Sequence, residues 1–360
     1  MLPDRARRPL TRASAVYRLL AALLLALLPA AFAQIGNEPA TVLERLADYA
    51  PEPAPEGDGY RAAAGFTFQL HEVDGVAVGV SAEGVLNDAN IRFLGALVGA
   101  ASGYGADIAG PVADFFRSRA SDLRGAGEVP IEVVEYLMYV DLPAEADGAA
   151  RVRFEPQVVA EELFGPPAHV LGPADARYVV RQFTDLQCPF CASFAREGLP
   201  LIEEELLPRG DVRFEVYHFP LKSIHPNAAA AAEANECVAE AARLAGDAAA
   251  GEAAFWEYHH ALFAQLDRWG RLNDPVETFV AIAQEAGLPA DGLAMCLRSG
   301  RFTDLVEASY QNAVQDLRLT GTPTLFVDGL RVGDYRSLDE YLRLMRLSEA
   351  LRVEQGDAQP

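Results

Sequence analysis

The segment that most limits the fold is a run of three patterns in succession. Residues 177–187 read RYVVRQFTDLQ, 188–207 read CPFCASFAREGLPLIEEELL, and 208–220 read PRGDVRFEVYHFP. The first and third are β-branched and aromatic, as strands are. The second has helical spacing, interrupted near Gly198 and Pro200. Strand, helix and strand in that order make a βαβ unit with a right-handed crossover. The predicted class is therefore α/β, with Cys188 and Cys191 standing where the first strand gives way to the helix.

Three chemistries use a C-x-x-C pair. Zinc needs four ligands, and the sequence has neither a second C-x-x-C nor an H-x(3-5)-H pair at finger spacing, while Cys237 and Cys296 stand far apart in helical stretches. No metal is expected. A purely structural bridge over so short a loop gains little chain entropy. Redox exchange explains more of the neighbourhood. At a helix N-terminus, unpaired N–H groups and the helix dipole stabilise a thiolate, so Cys188 is the expected nucleophile. Cys191 lies one turn deeper on the same side and is the expected resolving thiol: it attacks a mixed disulfide at Cys188, frees the client and closes the bridge. Pro189 suits a first helical turn, where its missing N–H would have no partner. Pro189 and Phe190 are the expected client-contacting residues.

Residues 166–176, PPAHVLGPADA, read as a domain boundary. From Asn227 to about residue 300 the pattern is nearly all helical. Asn273 or Asp274 is the expected cap of NDPVETF, Pro275 falls in its first turn, and Gly287 and Pro289 end that helix. TGTPTLFVDGLRVGDY reads as a hairpin turning at Asp328-Gly329. In SLDEYLRLMRL, Ser337 and Glu340 are spaced as a capping box.

FTDLQCPFC after a strand, a helical insertion carrying FWEYHHALF, and TGTPTLFVDG near the end together resemble the DsbA family of thiol-disulfide oxidoreductases, over about residues 170–350. The resemblance implies a thioredoxin-like fold with a helical insertion. It implies a cis Thr322-Pro323 bond beside the cysteines, with the Thr322 backbone offered to a client strand. Many members carry a buried glutamate six residues before the first cysteine that assists proton transfer. Here that position is Gln182, and an amide cannot take up a proton, so Asp185 is the expected substitute, with water as the alternative. Pro189-Phe190 also lacks the histidine of strongly oxidising relatives, which leaves the direction of electron flow open. Cys237 and Cys296 could be lone buried thiols. In an exported chain a bridge between them is the expectation, and some family members have an extra disulfide in this region; closing a loop of about 60 residues stabilises by about 4 kcal/mol in the chain-entropy model. Phe255, Tyr258 and Leu262 share a helix face and read as core. His259 and His260 have no evident partner, and His218 and His225 fall near the strand end, at the rim of the site.

The chain opens with an arginine-rich leader, an apolar run from Leu19 to Leu28, and Ala31-Phe32-Ala33. This is the anatomy of a signal peptide over residues 1–33. A membrane span needs about 18 or more consecutive apolar residues, and Pro29 interrupts the run, so an uncleaved anchor is the weaker alternative. The formal charge is −22; loss of the leader removes one acid and five arginines and leaves −26. Such a surface repels phosphate backbones and anionic lipid, which excludes nucleic acid as an expected partner. Four cysteines in 360 residues are too few for a disulfide scaffold.

A chain of this length points to two domains. Residues 34–59 hold a helix, TVLERLADYA, and a linker or exposed loop, PEPAPEGDG. Residues 60–165 read as a smaller α+β domain of undisclosed role. It has two strands about Asp74-Gly75, helical stretches of which the first is capped by Asn87 or Asp88, and strands at IEVVEYLMYVDL and RVRFEP. Residues 166–350 form the thioredoxin-like domain, with the insertion at about 227–300, and 351–360 a disordered tail.

The expected function is an extracytoplasmic thiol-disulfide oxidoreductase without a cofactor. It forms disulfides in exported client proteins and is recycled by a membrane redox partner. Two readings stay open beside it. One is an isomerase or reductase kept reduced by such a partner, with the N-terminal domain serving dimerisation or client binding. The other is a peptide-binding, chaperone-like module whose C-x-x-C is bridged and inert.

Overall fold

The structure is a computed structural model that describes residues 17–18, 35–55, 57, 59–62 and 65–356. The expected signal peptide therefore lies outside the described residues, apart from Tyr17 and Arg18. The chain divides into two units, Met1–Gln157 with Arg346–Pro360, and Val158–Met345.

The first unit carries an eight-stranded sheet made of β1 (Tyr17–Arg18), β2 (Glu52–Pro53), β3 (Tyr60–Arg61), β4 (Thr67–Val73), β5 (Val76–Val85), β6 (Glu128–Val133), β7 (Tyr136–Asp141) and β8 (Ala149–Pro156). Their order is β1-β6-β7-β8-β5-β4-β3-β2, antiparallel throughout except for β1 beside β6. Its helices are α1 (Pro39–Arg45), α2 (Asp88–Ser102) and α3 (Ala106–Leu123). Asn87 caps α2 by accepting from the N–H groups of Ala89 and Asn90, each at 3.0 Å. In β7 alternate residues Tyr136, Met138 and Val140 are buried, the pattern of a sheet with one covered face.

Two local readings need correction. PEPAPEGDG is not simply a linker: Glu52 and Pro53 pair with Arg61 and Tyr60 to form the edge of the sheet. IEVVEYLMYVDL is not one strand but the greater part of a hairpin, turning at Val134-Glu135 between β6 and β7. Val134 takes φ 56°, a left-handed value that a β-branched residue adopts only when its surroundings enforce it, so the turn carries no Gly or Asn signal.

The second unit has a five-stranded sheet in the order β13-β12-β10-β11-β9. These strands are β9 (His169–Leu171), β10 (Tyr178–Thr184), β11 (Val212–His218), β12 (Thr324–Val327) and β13 (Leu330–Arg331). β10 and β11 are parallel, joined through α4 (Pro189–Glu197) and α5 (Leu199–Leu201), which is the βαβ unit read from the sequence. β12 returns antiparallel on the other side of β10 and turns into β13 at Asp328 (φ 48°) and Gly329 (φ 84°), the positive pair a two-residue hairpin requires. Between β11 and β12 come α6 (Ala228–Ala245), α7 (Ala248–Ala264), α8 (Leu266–Trp269), α9 (Val276–Glu285), α10 (Leu293–Arg298) and α11 (Thr303–Gln311). The last helix, α12 (Leu338–Gln355), begins in this unit, and its residues from Arg346 belong to the first; it runs past residue 350, where a tail was expected.

β10 is central, and Val180 to Thr184 are all buried, so both faces of the sheet are covered. One face packs Phe183, Tyr217 and Phe326 together. A second cluster joins Cys188, Cys191 and Ala192 to the insertion through Ala231, Val238, Tyr258, Leu262 and Phe279. Gly198, between α4 and α5, leaves no room for a side chain. A Cβ on Gly198 would stand 2.6 Å from the Phe194 ring and 2.9 Å from that of Tyr335. No described helix is long and apolar enough to cross a membrane.

Candidate active site

Cys188 is the N-cap of α4, in extended conformation, and Pro189 opens the helix. The turn before it is closed by the Cys188 N–H donating to the Asp185 carbonyl at 3.0 Å, and α4 begins with Ala192 N–H donating to the Cys188 carbonyl at 3.0 Å. Both cysteines of the pair are free thiols, Cys188 2% exposed and Cys191 fully buried. Their environments pull them apart. The Cys188 thiol is lowered to about 6, chiefly by the hydrogen bond from Cys191 and further by the N–H groups of Cys191 and Phe190, against the cost of burial. Cys191 is pushed well above its ordinary value, first by burial and then by the developing charge on Cys188. The surroundings thus favour the thiolate at Cys188 and the proton at Cys191.

The Thr322-Pro323 bond is cis, and the Thr322 carbonyl oxygen lies 3.5 Å from Cys188 Sγ, as acceptor of the thiol when it is protonated. β12 begins two residues later, opposite Phe183 on β10. Residues 134 positions apart thus meet at one sulfur. Phe190, two residues beyond Cys188, is 67% exposed, and Pro189 beside it is exposed as well. Both put exposed apolar surface next to Cys188.

Asp185 lies where β10 ends, and its backbone N–H faces Cys191 Sγ at 3.5 Å. Its carboxylate is fully engaged in structure. Oδ1 accepts from the N–H of Gln187 at 2.7 Å; Oδ2 accepts from Leu221 N–H at 2.8 Å and meets His225 Nδ1 at 2.7 Å. Gln187 ties the same turn to the insertion, accepting from Asn227 N–H at 2.6 Å and donating to the Gly270 carbonyl at 2.7 Å. Gln182, further back on β10, is fully buried, and neither end of its amide has a hydrogen-bond partner among the described residues.

Cys237 on α6 and Cys296 on α10 are bridged, 59 positions apart in sequence. The histidines separate. His225 belongs to the site, through Asp185. His218 does not lie at a rim: it is 1% exposed, with Nε2 2.8 Å from Glu236 Oε1 on α6. The other oxygen of Glu236 meets His169 Nε2 at 3.4 Å, and His169 Nδ1 meets Glu252 on α7 at 2.8 Å. Burial opposes charge on His169, but hydrogen bonds to Glu236 and Glu252 prevail and raise it to about 9. Glu236, also opposed by burial, is held down to about 2 by the two histidines. His259 is buried between Phe255 and Phe263, its charging strongly disfavoured by burial, and His260 lies 3.5 Å from Glu203. Sequence reasoning missed Gln187, His169, Glu236 and Glu252. Single Gln, His and Glu residues carry no spacing signal of their own, and only the packing of α6 and α7 on the sheet assembles them.

A sheet with a parallel central pair flanked by antiparallel strands, a dithiol at a helix N-terminus and a cis X-Pro bond beside it define a thioredoxin-type site. A family model described as Thioredoxin matches residues 165–346, half of the chain, and the chain belongs to that family. Among similar proteins is Na(+)/H(+) antiporter NhaA 3 of Salinispora tropica, 32% identical over 163 residues, which are 45% of this chain and 22% of that protein. A protein of Rickettsia felis, named as a candidate protein-disulfide oxidoreductase, is 25% identical over 166 residues, covering 46% of this chain and 55% of that one. The chain thus spans about a fifth of the antiporter and about half of the rickettsial protein. Among solved structures, alpha-DsbA1 of Wolbachia pipientis aligns with a TM-score of 0.44 at 21% identity, over 55% of this chain and all of that one.

Proposed function

We propose that the protein is a thiol-disulfide oxidoreductase of DsbA type that forms disulfides in client proteins outside the cytoplasm. The observation that carries the reading is the asymmetry of the two sulfurs: a thiol lowered to about 6 at the start of α4, and a buried protonated thiol one turn below it. A thiolate stabilised in the reduced enzyme favours that form, and therefore favours taking electrons from clients. The signal-peptide pattern at 1–33 supports an extracytoplasmic location, and the name of the rickettsial relative supports the chemistry.

In the forward direction a client thiolate attacks the Cys188 sulfur of the Cys188–Cys191 disulfide, and Cys191 leaves as a thiolate that takes up a proton. A second client thiolate then attacks the client sulfur of the mixed disulfide, and the Cys188 thiolate is the leaving group. The client loses two electrons and the enzyme gains them. A membrane redox partner removes them and restores the bridge. Thr322 offers backbone to the client strand, Phe190 and Pro189 offer apolar surface, and Pro323 fixes the loop beside Cys188. Asp185 serves the proton that Cys191 gains and loses.

Refolding of a reduced, disulfide-containing client with catalytic protein and excess oxidised glutathione tests the reading. Disulfides should form faster with the parent than with Cys188→Ser. In the native host Cys188–Cys191 should be mainly oxidised. A mainly reduced pair would favour isomerase or reductase, and no rate difference from Cys188→Ser would leave only a binding module.

A further inference from the structure

Cys191 has an unsolved proton problem. When it attacks a mixed disulfide at Cys188, the bond from Cys188 to the client sulfur breaks, the bond between the two enzyme sulfurs forms, and the client leaves as a thiolate. Cys191 is oxidised, the client sulfur is reduced, and the Cys191 proton must go elsewhere. Yet Cys191 is fully buried, and burial makes its proton hard to remove. The Asp185 N–H faces its sulfur at 3.5 Å, and the Asp185 side chain has no exposure of its own.

The carboxylate is connected outward at one place. His225 Nδ1 lies 2.7 Å from Asp185 Oδ2, and the His225 side chain is 15% exposed, so of these three groups it alone reaches solvent. His225 is held firmly. Its N–H donates to the Leu221 carbonyl at 2.9 Å, its own carbonyl accepts from Ala228 at the start of α6, and Leu221 N–H donates to the same Asp185 oxygen. The nearby charges are committed elsewhere: Lys222 pairs with Glu307 on α11 and lies over the Tyr310 ring, and Glu233 on α6 accepts from Thr303 at 3.1 Å.

We infer that His225 is a positioning residue of the exchange reaction: through Asp185 it carries the proton between the neighbourhood of Cys191 and solvent. The inference rests on the oxidoreductase reading and deepens it. The imidazole takes the proton that reaches Asp185 and gives it to water, where the departing client thiolate is reprotonated. No further oxidant or reductant is required.

The test is single-turnover release of glutathione from a Cys188–glutathione mixed disulfide prepared on the full chain, followed from pH 5 to 10. His225→Gln can still donate a hydrogen bond to Asp185 but cannot carry a proton. Its release should fall at least about a hundredfold below the parent between pH 5 and 7, the low end of what a positioned acid-base group contributes. It should converge on the parent near pH 10, where hydroxide removes the proton directly. His225→Asn provides a second variant should His225→Gln unfold, and thermal unfolding of each is measured alongside. A loss that is uniform across pH, or no loss, overturns the assignment and leaves His225 an architectural contact. A parent that forms no mixed disulfide removes the oxidoreductase reading, and this inference with it. A parent that reacts and releases at the variant's rate removes the role of His225 alone.

Discussion

The Cys188 sulfur lies 3.5 Å from the carbonyl oxygen of Thr322, a residue on the far side of the helical insertion. The contact places the Cys188 sulfur between the N-terminus of α4 and the loop that leads into β12. The Cys191 thiol first, and the N–H groups of the helix end after it, lower the Cys188 thiol, and the loop lies beside it.

Limiting iodoacetamide added to the reduced protein at pH 7 should label Cys188 at least about tenfold faster than Cys191, because a thiolate reacts and a buried thiol does not. The labelling rate should rise with a midpoint near pH 6. Peptide mapping by mass reads the outcome, and preferential labelling of Cys191 would reverse the two roles.

The same lowered thiol makes the reduced protein pH-dependent. A folded value of about 6 against an ordinary 9.0 is a depression, so its stabilisation is complete above about pH 9 and is lost as pH falls through about 6. Denaturant unfolding of the reduced parent, referenced to Cys188→Ser, should gain up to about 1.4 kcal/mol per pH unit from pH 6 to 8. Cys191 acts in the opposite sense only above its unfolded value of 9.0, so the upper limit is set there. Parallel curves for the two proteins would show that Cys188 is not a thiolate.

The buried chain of His218, Glu236, His169 and Glu252 binds β9 and β11 to α6 and α7. Glu236→Gln should cost about 3 kcal/mol, the usual loss when one partner of a buried pair is removed. The raised His169 contributes fully below its unfolded 6.5 and loses its contribution as pH rises through about 9. The depressed Glu236 contributes above 4.5 and loses its contribution as pH falls through about 2. The gap between parent and variant should therefore be widest between pH 4.5 and 6.5, measured by urea unfolding; a gap that does not vary with pH would mean the pair is not ionised.

Replacing Cys237 and Cys296 together by serine opens a loop whose ends are 59 residues apart. Stability should fall by about 4 kcal/mol in the chain-entropy model, while glutathione exchange at Cys188 continues. Calorimetry and a single-turnover assay separate the two effects. Loss of exchange in a protein that still melts cooperatively would mean that the bridge serves the site as well as the insertion.

Part of this molecule was legible from short windows of residues. The unit β10–α4–β11 follows from β-branched runs on either side of a helical period, Pro189 marks the first turn of α4, and Asp74-Gly75 and Asp328-Gly329 announce hairpins because their two φ values are positive. Cys188 at the head of a helix is itself a local fact, and it carries the thiolate argument with it. These features depend on neighbours within a turn or two, which is the distance over which a sequence pattern dictates backbone conformation.

Tertiary packing decided the rest. It made Val134 turn a hairpin against its own preference, and it turned Glu52 and Pro53, expected in a loop, into the edge of a sheet. It seated His218 on Glu236 and put His225, rather than open solvent, on the carboxylate of Asp185. Histidines, acids and amides fit many surroundings equally well, so their identity does not choose a partner 18 or 40 residues away. Strand register and the seating of helices on the sheet make that choice. Both follow from the burial of whole apolar faces, a sum over many residues that no single stretch displays.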